Sequence, residues 1–195
     1  MKNDEYMSSI TSDEIRSLPL SSFTGEIIVV DEPGAVPEAV DMLRCYNVLG
    51  FDTETKPAFK KGVVNGVALM QLSAKERAFI FRLNRTGLPA PLVSLLSDRN
   101  VVKAGAAIRD DIKSLQKMAR FRPAGFIELQ EMVKEYNITD SGLKKIAGIV
   151  LGIQISKSQQ VSNWERQVLT DAQLIYAATD AWVCHEIYSR LISIH

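Results

Sequence analysis

The order of strand-like and helix-like segments is the feature that most constrains the fold of this sequence. Three short runs rich in apolar and β-branched residues follow one another between Phe51 and Phe81, with turn residues Lys75 to Arg77 before the last. Beyond them, strand-like runs alternate with helix-like runs. Three sequential strands are expected to pair antiparallel, and later alternation indicates the α/β class. The sequence therefore predicts a mixed sheet flanked by helices.

Hydrophobic periodicity and turn residues locate the individual elements. Strands are expected at 27–30, 48–55, 63–72, 78–83, 101–104 and 125–129. Helices are expected from Pro37, at 89–96, at 110–119, around Met132 and at 143–150. Thr170-Asp171 reads as the start of a long final helix that ends near Ile192.

The first part of the chain differs in composition from the rest. Residues 1–24 are polar and rich in serine, which predicts a loosely held N-terminal arm with one helical turn after Ser12. Residues 25–195 are enough for one domain with a sizeable core and too few for two. We therefore expect a single folded domain preceded by a polar arm.

Composition sets the expected compartment but says little about the ligand. The N-terminus lacks the pattern of a signal peptide and no apolar run is long enough to span a membrane, so we expect a cytoplasmic protein without a membrane partner. Cys45 and Cys184 are expected to be reduced, buried thiols.

With a net charge of zero, attraction to nucleic acid would need a local basic rim, for which the candidates are Lys56, Lys60, Lys61, Lys157 and Arg166.

Asp52 and Glu54 form the first candidate site. Residues i and i+2 of a strand project from the same face, so the two carboxylates lie side by side while Thr53 points the other way. Adjacent carboxylates repel unless a cation lies between them, and oxygen ligands suit Mg²⁺ or Mn²⁺. The alternative is a solvated strand face with two chance acids.

Tyr176 and Asp180 form the second candidate site, on the final helix. Residues i and i+4 share a helix face, so the hydroxyl and the carboxylate can converge. The surrounding stretch is mostly apolar, and an aspartate buried there is costly unless it is paired or bound to metal. The alternative is a core tyrosine beside a buried capping aspartate.

Asp111 is the third candidate, at the start of the helix predicted over 110–119. Acidic residues at a helix start complement the helix dipole, and by that argument Asp110 serves equally well. The register of a sequence motif favours Asp111.

These residues lie in three motifs that resemble the DEDD superfamily of 3′-5′ exonucleases, most closely the Werner-syndrome-type exonuclease domain and more distantly ribonuclease D. Phe51 to Thr55 is similar to the first motif, and Lys103 to Leu115, with Asp111 four residues before the leucine, to the second. Tyr176 to Ala181 is similar to the third motif in its tyrosine form. Gly142 to Ala147 and Lys157 to Leu169 extend the likeness, which runs from about Ile27 to the C-terminus.

The resemblance implies an RNase H-like fold and a two-metal-ion exonuclease. Two divalent cations, Mg²⁺ or Mn²⁺, would be held by Asp52, Glu54, Asp111 and Asp180, with Tyr176 orienting the attacking water. The histidine form of the superfamily would require histidine at Ile175, and neither His185 nor His195 is well placed to replace it. Glu128 stands where relatives often carry an aspartate that is not a metal ligand.

The expected substrate is a nucleic acid with a 3′ end, shortened to nucleoside 5′-monophosphates. Predicted substrate contacts are Thr53, Leu69, Met70, Lys157 and a stacking Trp164, which is equally consistent with a core residue. DNA is favoured because 195 residues leave no room for the extra helical domains usual in ribonuclease D-like enzymes. The alternatives are an RNA-processing nuclease of that kind, a non-catalytic nucleic-acid-binding module, or a structural subunit whose partner supplies the activity.

Overall fold

The computed structural model describes residues 6–57 and 65–193, which contain a six-stranded mixed sheet. The strands are β1 (Glu26–Val30), β2 (Val48–Thr55), β3 (Val67–Ser73), β4 (Arg77–Arg82), β5 (Val102–Gly105) and β6 (Phe126–Glu128). Their order across the sheet is β1-β4-β3-β2-β5-β6. β2, β3 and β4 pair antiparallel in sequence, as expected, whereas β1, β5 and β6 run parallel to their neighbours. The carboxyl ends of β2 and β5 therefore lie at the same edge of the sheet.

Helices cover both faces of the sheet. They are α1 (Ser12–Ser17), α2 (Val36–Leu43), α3 (Leu83–Thr86), α4 (Ala90–Leu96), α5 (Arg109–Met118), α6 (Leu129–Met132), α7 (Leu143–Leu151) and α8 (Asp171–Ile192). Alternate strand residues separate the two cores: Phe51 and Met70 pack with α2 and α4, whereas Leu69 and Ile80 pack with α8. The α/β class with a mixed sheet flanked by helices is confirmed.

The start of α8 agrees with the expectation from the sequence. The Thr170 hydroxyl accepts a hydrogen bond from the Gln173 amide at 3.3 Å, and the Gln173 side chain accepts one from the Thr170 amide at 3.0 Å. This reciprocal capping box fixes the first turn of the helix.

Residues 6–24 pack against the rest of the chain, so the prediction of a loosely held arm is wrong for this part. Ile10 and Ile15 are buried in the same core cluster as Ile146 and Val183. Backbone hydrogen bonds from Thr139 to Ser8 (2.8 Å) and from Gln154 to Pro19 (2.9 Å) hold the segment in place. A few apolar side chains spaced along a polar segment are enough to anchor it, and the expected helical turn is α1.

Smaller details also differ from the sequence-based expectations. The strand expected from residue 63 begins at Val67, with residues 63 and 64 outside the described range. Leu83, expected to end β4, instead begins α3, and Cys45 is exposed although Cys184 is buried. Within the described ranges, every helix is too short or too polar to cross a membrane.

Candidate active site

Three carboxylates from β2 and α8 meet at one place. Asp52, Glu54 and Asp180 each offer an oxygen atom, and the three atoms lie within 4.8 Å of one another. Asp52 and Glu54 project from the same face of β2, as strand geometry predicted, and Asp180 reaches them from the helix that covers that face. We refer to these residues as the carboxylate cluster.

Close packing of α8 on β2 brings the cluster together. A Cβ atom built at Gly50 would lie 1.7 Å from the carbonyl oxygen of Ala181, so only glycine lets the helix backbone approach this far. The facing turn of α8 carries the small residues Ala177, Ala178 and Ala181, all fully buried. Asp180 and Asp52 lie close in sequence to Ala181 and Gly50, the two residues in contact. Because the backbones of α8 and β2 approach closely there, the carboxylates of Asp180 and Asp52 are also close to each other.

Burial raises the pKa of every carboxyl group in the cluster, and repulsion by neighbouring carboxylates raises the pKa of Asp52 and Glu54 further. Burial lifts the pKa of Asp52 well above its ordinary value, and the charges of Asp180 and Glu54 lift it further. Burial and repulsion by Asp180 raise the pKa of Glu54 to about 8. Burial raises the pKa of Asp180 to about 7, against the opposing effects of the Tyr176 hydroxyl and the Lys157 ammonium group. Such a concentration of carboxylate oxygens fits a hard divalent cation.

Asp111 lies beside the cluster but is not part of it. The Thr53 hydroxyl donates a 2.6 Å hydrogen bond to Oδ1 of Asp111, so Thr53 contacts this aspartate from the strand face opposite Asp52 and Glu54. The charge of Asp111 is near enough to raise the pKa of both cluster residues on β2. Asp110, its alternative, faces solvent with 86% of its side chain exposed and pairs with Lys113. The structure thus directs Asp111, and not Asp110, toward the cluster.

Glu128 holds the turn that leads into α5. Its two carboxylate oxygens accept hydrogen bonds from the amides of Ala107 and Ile108, each at 2.8 Å. Ala107 has a φ of 61°, a left-handed conformation that costs about 1 kcal/mol or more for a residue with a Cβ atom. The two hydrogen bonds stabilise this turn and thereby fix the start of the helix that carries Asp111. The sequence indicated only that Glu128 differs from the residue common in relatives, and it did not predict that Glu128 stabilises this turn.

Tyr176 and Trp164 form the wall behind the cluster. Their ring centroids lie 5.9 Å apart with planes inclined by 33°. The Tyr176 hydroxyl interacts with the Asp180 carboxylate and favours its charged form. The Trp164 indole N–H is directed toward Glu54 and lowers the pKa of that carboxyl group. Among the described residues, however, none accepts a hydrogen bond of normal geometry from this N–H. Trp164 therefore supports the site from within the protein.

Three predicted substrate contacts are corrected by this geometry. Leu69, Met70 and Trp164 are all 0% exposed. Leu69 and Trp164 belong to the core beneath α8 and Met70 to the core on the other face, so none presents a surface to a base or sugar. Burial of alternate strand residues on both faces of a covered sheet explains why Leu69 and Met70 are inaccessible, and Trp164 is covered by its packing against Tyr176 of α8.

A cavity of about 240 Å³ opens over the cluster. Asp52, Tyr176 and Asp180 line it together with Lys157, the lysine predicted to contact substrate. Lining residues that the sequence did not indicate include Ala106, Gln130, Lys144, Ser156, Gln160 and Cys184. The small residues that follow Gly105 weakly indicate that the backbone runs close to the site. Nothing in the sequence indicates that Gln130 or Gln160 lines the cavity.

Other residues considered from sequence lie elsewhere or are already paired. Lys56 forms an ion pair with Glu165 at 2.9 Å, and Arg166 is exposed. Lys60, Lys61 and His195 lie outside the described residues. His185 is half-buried and its Nδ1 lies 3.0 Å from a Glu186 oxygen.

Sequence comparison relates the chain to known 3′-5′ exonucleases. A family model described as 3′-5′ exonuclease matches residues 27–194. Over 185 residues the chain is 31% identical to the bifunctional 3′-5′ exonuclease/ATP-dependent helicase WRN of Mus musculus. That match covers 90% of this chain but 13% of the mouse protein, so the chain corresponds to one part of a much longer relative.

Solved structures share the fold. The EXO domain of Nibbler from Aedes aegypti superposes with a TM-score of 0.78 at 23% identity, over 89% of this chain and 91% of that one. Ribonuclease D from Trypanosoma brucei, in complex with RNA U12, gives a TM-score of 0.74 at 22% identity, over 95% of this chain and 66% of that one. These likenesses confirm the RNase H-like exonuclease fold. Because the family model extends over nearly all of the folded chain, the chain belongs to the 3′-5′ exonuclease family of the DEDD superfamily.

Proposed function

We propose that this protein is a metal-dependent 3′-5′ exonuclease of the tyrosine type, which hydrolyses the terminal phosphodiester bond of a nucleic acid and releases a nucleoside 5′-monophosphate. The observation that carries the proposal is the carboxylate cluster, three acids within 4.8 Å of one another, of which Asp52 and Asp180 line an open cavity. Membership of the exonuclease family supports the same reaction.

The proposal includes two divalent cations, Mg²⁺ or Mn²⁺, held by Asp52, Glu54 and Asp180 with Asp111 as the fourth carboxylate. The fit rests on the donor set: oxygen ligands only, crowded enough to raise one another's pKa. When bound, such ions supply an activated water and stabilise the leaving 3′ oxygen. Thr53 keeps Asp111 oriented through its 2.6 Å hydrogen bond.

Tyr176 orients the attacking water in this proposal. Its hydroxyl lies beside Asp180 on the cavity wall, and burial with the neighbouring carboxylates raises its pKa above the ordinary tyrosine value. A phenol with a raised pKa stays protonated at neutral pH, so Tyr176 acts as a hydrogen-bonding group and not as a base. Lys157, exposed at the same cavity, pairs with the phosphate of the terminal nucleotide.

DNA is the first candidate for the strand and RNA the second. The mouse relative, 31% identical, is named as an exonuclease joined to a helicase, whereas the T. brucei ribonuclease D was solved with RNA. Matched single-stranded DNA and RNA and a 3′-recessed DNA duplex, each incubated with Mg²⁺ or Mn²⁺, test both candidates. The nucleic acid that is degraded fastest is identified as the preferred substrate.

The direction of cleavage tests the proposed reaction. With a 5′-labelled strand we expect a ladder of shortening products, and with a 3′-labelled strand immediate release of a labelled mononucleotide. Asp52→Asn removes this activity, whereas Asp110→Asn, which alters an exposed acid one residue from Asp111, keeps it. Strand binding without cleavage under any of the metal conditions would instead favour a non-catalytic binding module.

A further inference from the structure

A second cavity, of about 320 Å³, lies between α1 and α7. It is lined by Ser12, Ile15, Arg16, Gly142, Lys144, Lys145 and Lys157. Lys144 and Lys157 also line the cavity over the carboxylate cluster, so the two spaces meet along these side chains. We call this second space the basic groove.

The basic groove concentrates positive charge on a protein whose net charge is zero. Four of its lining residues are cationic. Arg16 pairs with Asp13, but 71% and 88% of these side chains are exposed, and such surface pairs exchange readily for another anion. Lys145 pairs with Asp140. In the part of the chain that the structure describes, no carboxylate lies within 4.0 Å of the Lys144 or Lys157 ammonium group.

The N-terminal segment forms one wall of the groove and is held in place. Ile15, next to Arg16, is 3% exposed and packs into the core with Ile10. Asp140 ties the two walls together, because it accepts a hydrogen bond from the Ile10 amide at 2.9 Å and from Lys145 at 2.6 Å. Arg16 is therefore presented from a fixed helix at a defined position relative to α7.

We propose that the basic groove binds the sugar-phosphate backbone of the substrate strand upstream of its 3′ end. The inference rests on the proposed function, which sets the terminal phosphodiester at the carboxylate cluster. A strand leaving that cavity past Lys157 and Lys144 enters the groove and meets Lys145 and Arg16 next. Cationic grooves that track phosphates in this way bind single strands with little sequence preference.

Comparing a long substrate with a short one distinguishes binding in the basic groove from catalysis at the carboxylate cluster. Arg16→Gln and the double variant Arg16→Gln/Lys144→Gln are compared with wild type on a long single strand and on a dinucleotide. On the long strand, each cation removed raises KM about two- to fivefold with little change in kcat. Each removal also lowers the slope of log KM against log salt concentration by about 0.7. Arg16 lines the groove but not the cavity over the cluster, so the dinucleotide shows a smaller effect.

Arg99→Gln is the matched control. Arg99 is exposed and precedes β5, at the end of the sheet opposite the cluster, so the same change of charge there leaves KM and the salt slope at wild-type values. If Arg16→Gln had the same KM as Arg99→Gln on the long strand, or if its KM rose equally on both substrates, the proposal that the basic groove binds the substrate strand would be wrong. Failure of wild type to cleave either substrate with Mg²⁺ or Mn²⁺ would count against the proposed function instead.

Discussion

Replacing Gly50 with alanine tests how closely α8 must approach β2 for the carboxylate cluster to form. The new Cβ atom would lie 1.7 Å from the Ala181 carbonyl oxygen and 2.7 Å from the His185 amide nitrogen. Both are backbone atoms of α8, which cannot rotate away as a side chain can. The helix must move by roughly 1 Å, and a misplacement of that size at a reacting centre costs about 10²-fold in rate.

The same substitution has a separate effect on stability. Forcing a methyl group into packed backbone costs about 1–3 kcal/mol of unfolding free energy. The assay combines the metal-dependent rate of mononucleotide release with urea unfolding, measured at a temperature where both proteins are folded. We expect Gly50→Ala to lose rate because Asp180 moves away from Asp52 and Glu54, and to lose stability because the added methyl group disrupts the packing of α8 on β2.

Gly34→Ala provides the control for Gly50→Ala. A Cβ atom at Gly34 would have no other atom within 4 Å, apart from its chain neighbours. The control therefore changes glycine to alanine without a clash, and its rate and stability should match wild type. If Gly50→Ala were as fast and as stable as Gly34→Ala, close approach of α8 would not be what assembles the cluster.

Three further predictions concern residues around the cluster. Tyr176→Phe removes the hydroxyl and lowers turnover by about 10²–10⁴-fold without weakening metal affinity; an unchanged turnover number would remove Tyr176 from the reaction. Glu128→Gln places an amide N–H₂ group against one of the amides of Ala107 and Ile108, which lowers the unfolding free energy by about 1–3 kcal/mol and slows cleavage; wild-type values in urea unfolding and rate assays would contradict this support. The folded-state pKa of Glu54, about 8, exceeds its ordinary 4.5, so the metal-free fold is most stable below about pH 4.5 with respect to this group and loses that stability as pH rises through 8. Glu54→Gln should therefore raise the metal-free melting temperature at pH 8 while it lowers the metal-dependent rate, and a lower melting temperature would contradict the unfavourable burial and repulsion of the Glu54 charge.

Local rules predicted much of the fold and part of the site. Strand periodicity correctly indicated that Asp52 and Glu54 share a face and that Thr53 does not. The capping signal at Thr170 located the start of α8, and with it the helix that carries Tyr176 and Asp180. These features depend on neighbours in sequence, which is why the sequence alone was sufficient.

Features that depend on contacts between distant segments were beyond such rules. Whether Leu69, Met70 and Trp164 face a ligand or a core depends on which helices cover each face of the sheet, and the structure buries all three. The anchoring of residues 6–24 depends on the core cluster in which Ile10 and Ile15 are buried with residues of α7 and α8. The same holds for Gly50, whose requirement for glycine arises only because α8 crosses there.

Calorimetric titration of Mn²⁺ into the metal-free protein tests most directly whether the carboxylate cluster is a metal centre. Wild type and Asp110→Asn should bind Mn²⁺ with the same stoichiometry and affinity, since Asp110 faces solvent. Asp180→Asn should lose at least one ion, and its exonuclease activity should fall with it. Retention of wild-type Mn²⁺ binding by Asp180→Asn would contradict the assignment of Asp52, Glu54 and Asp180 as the metal site.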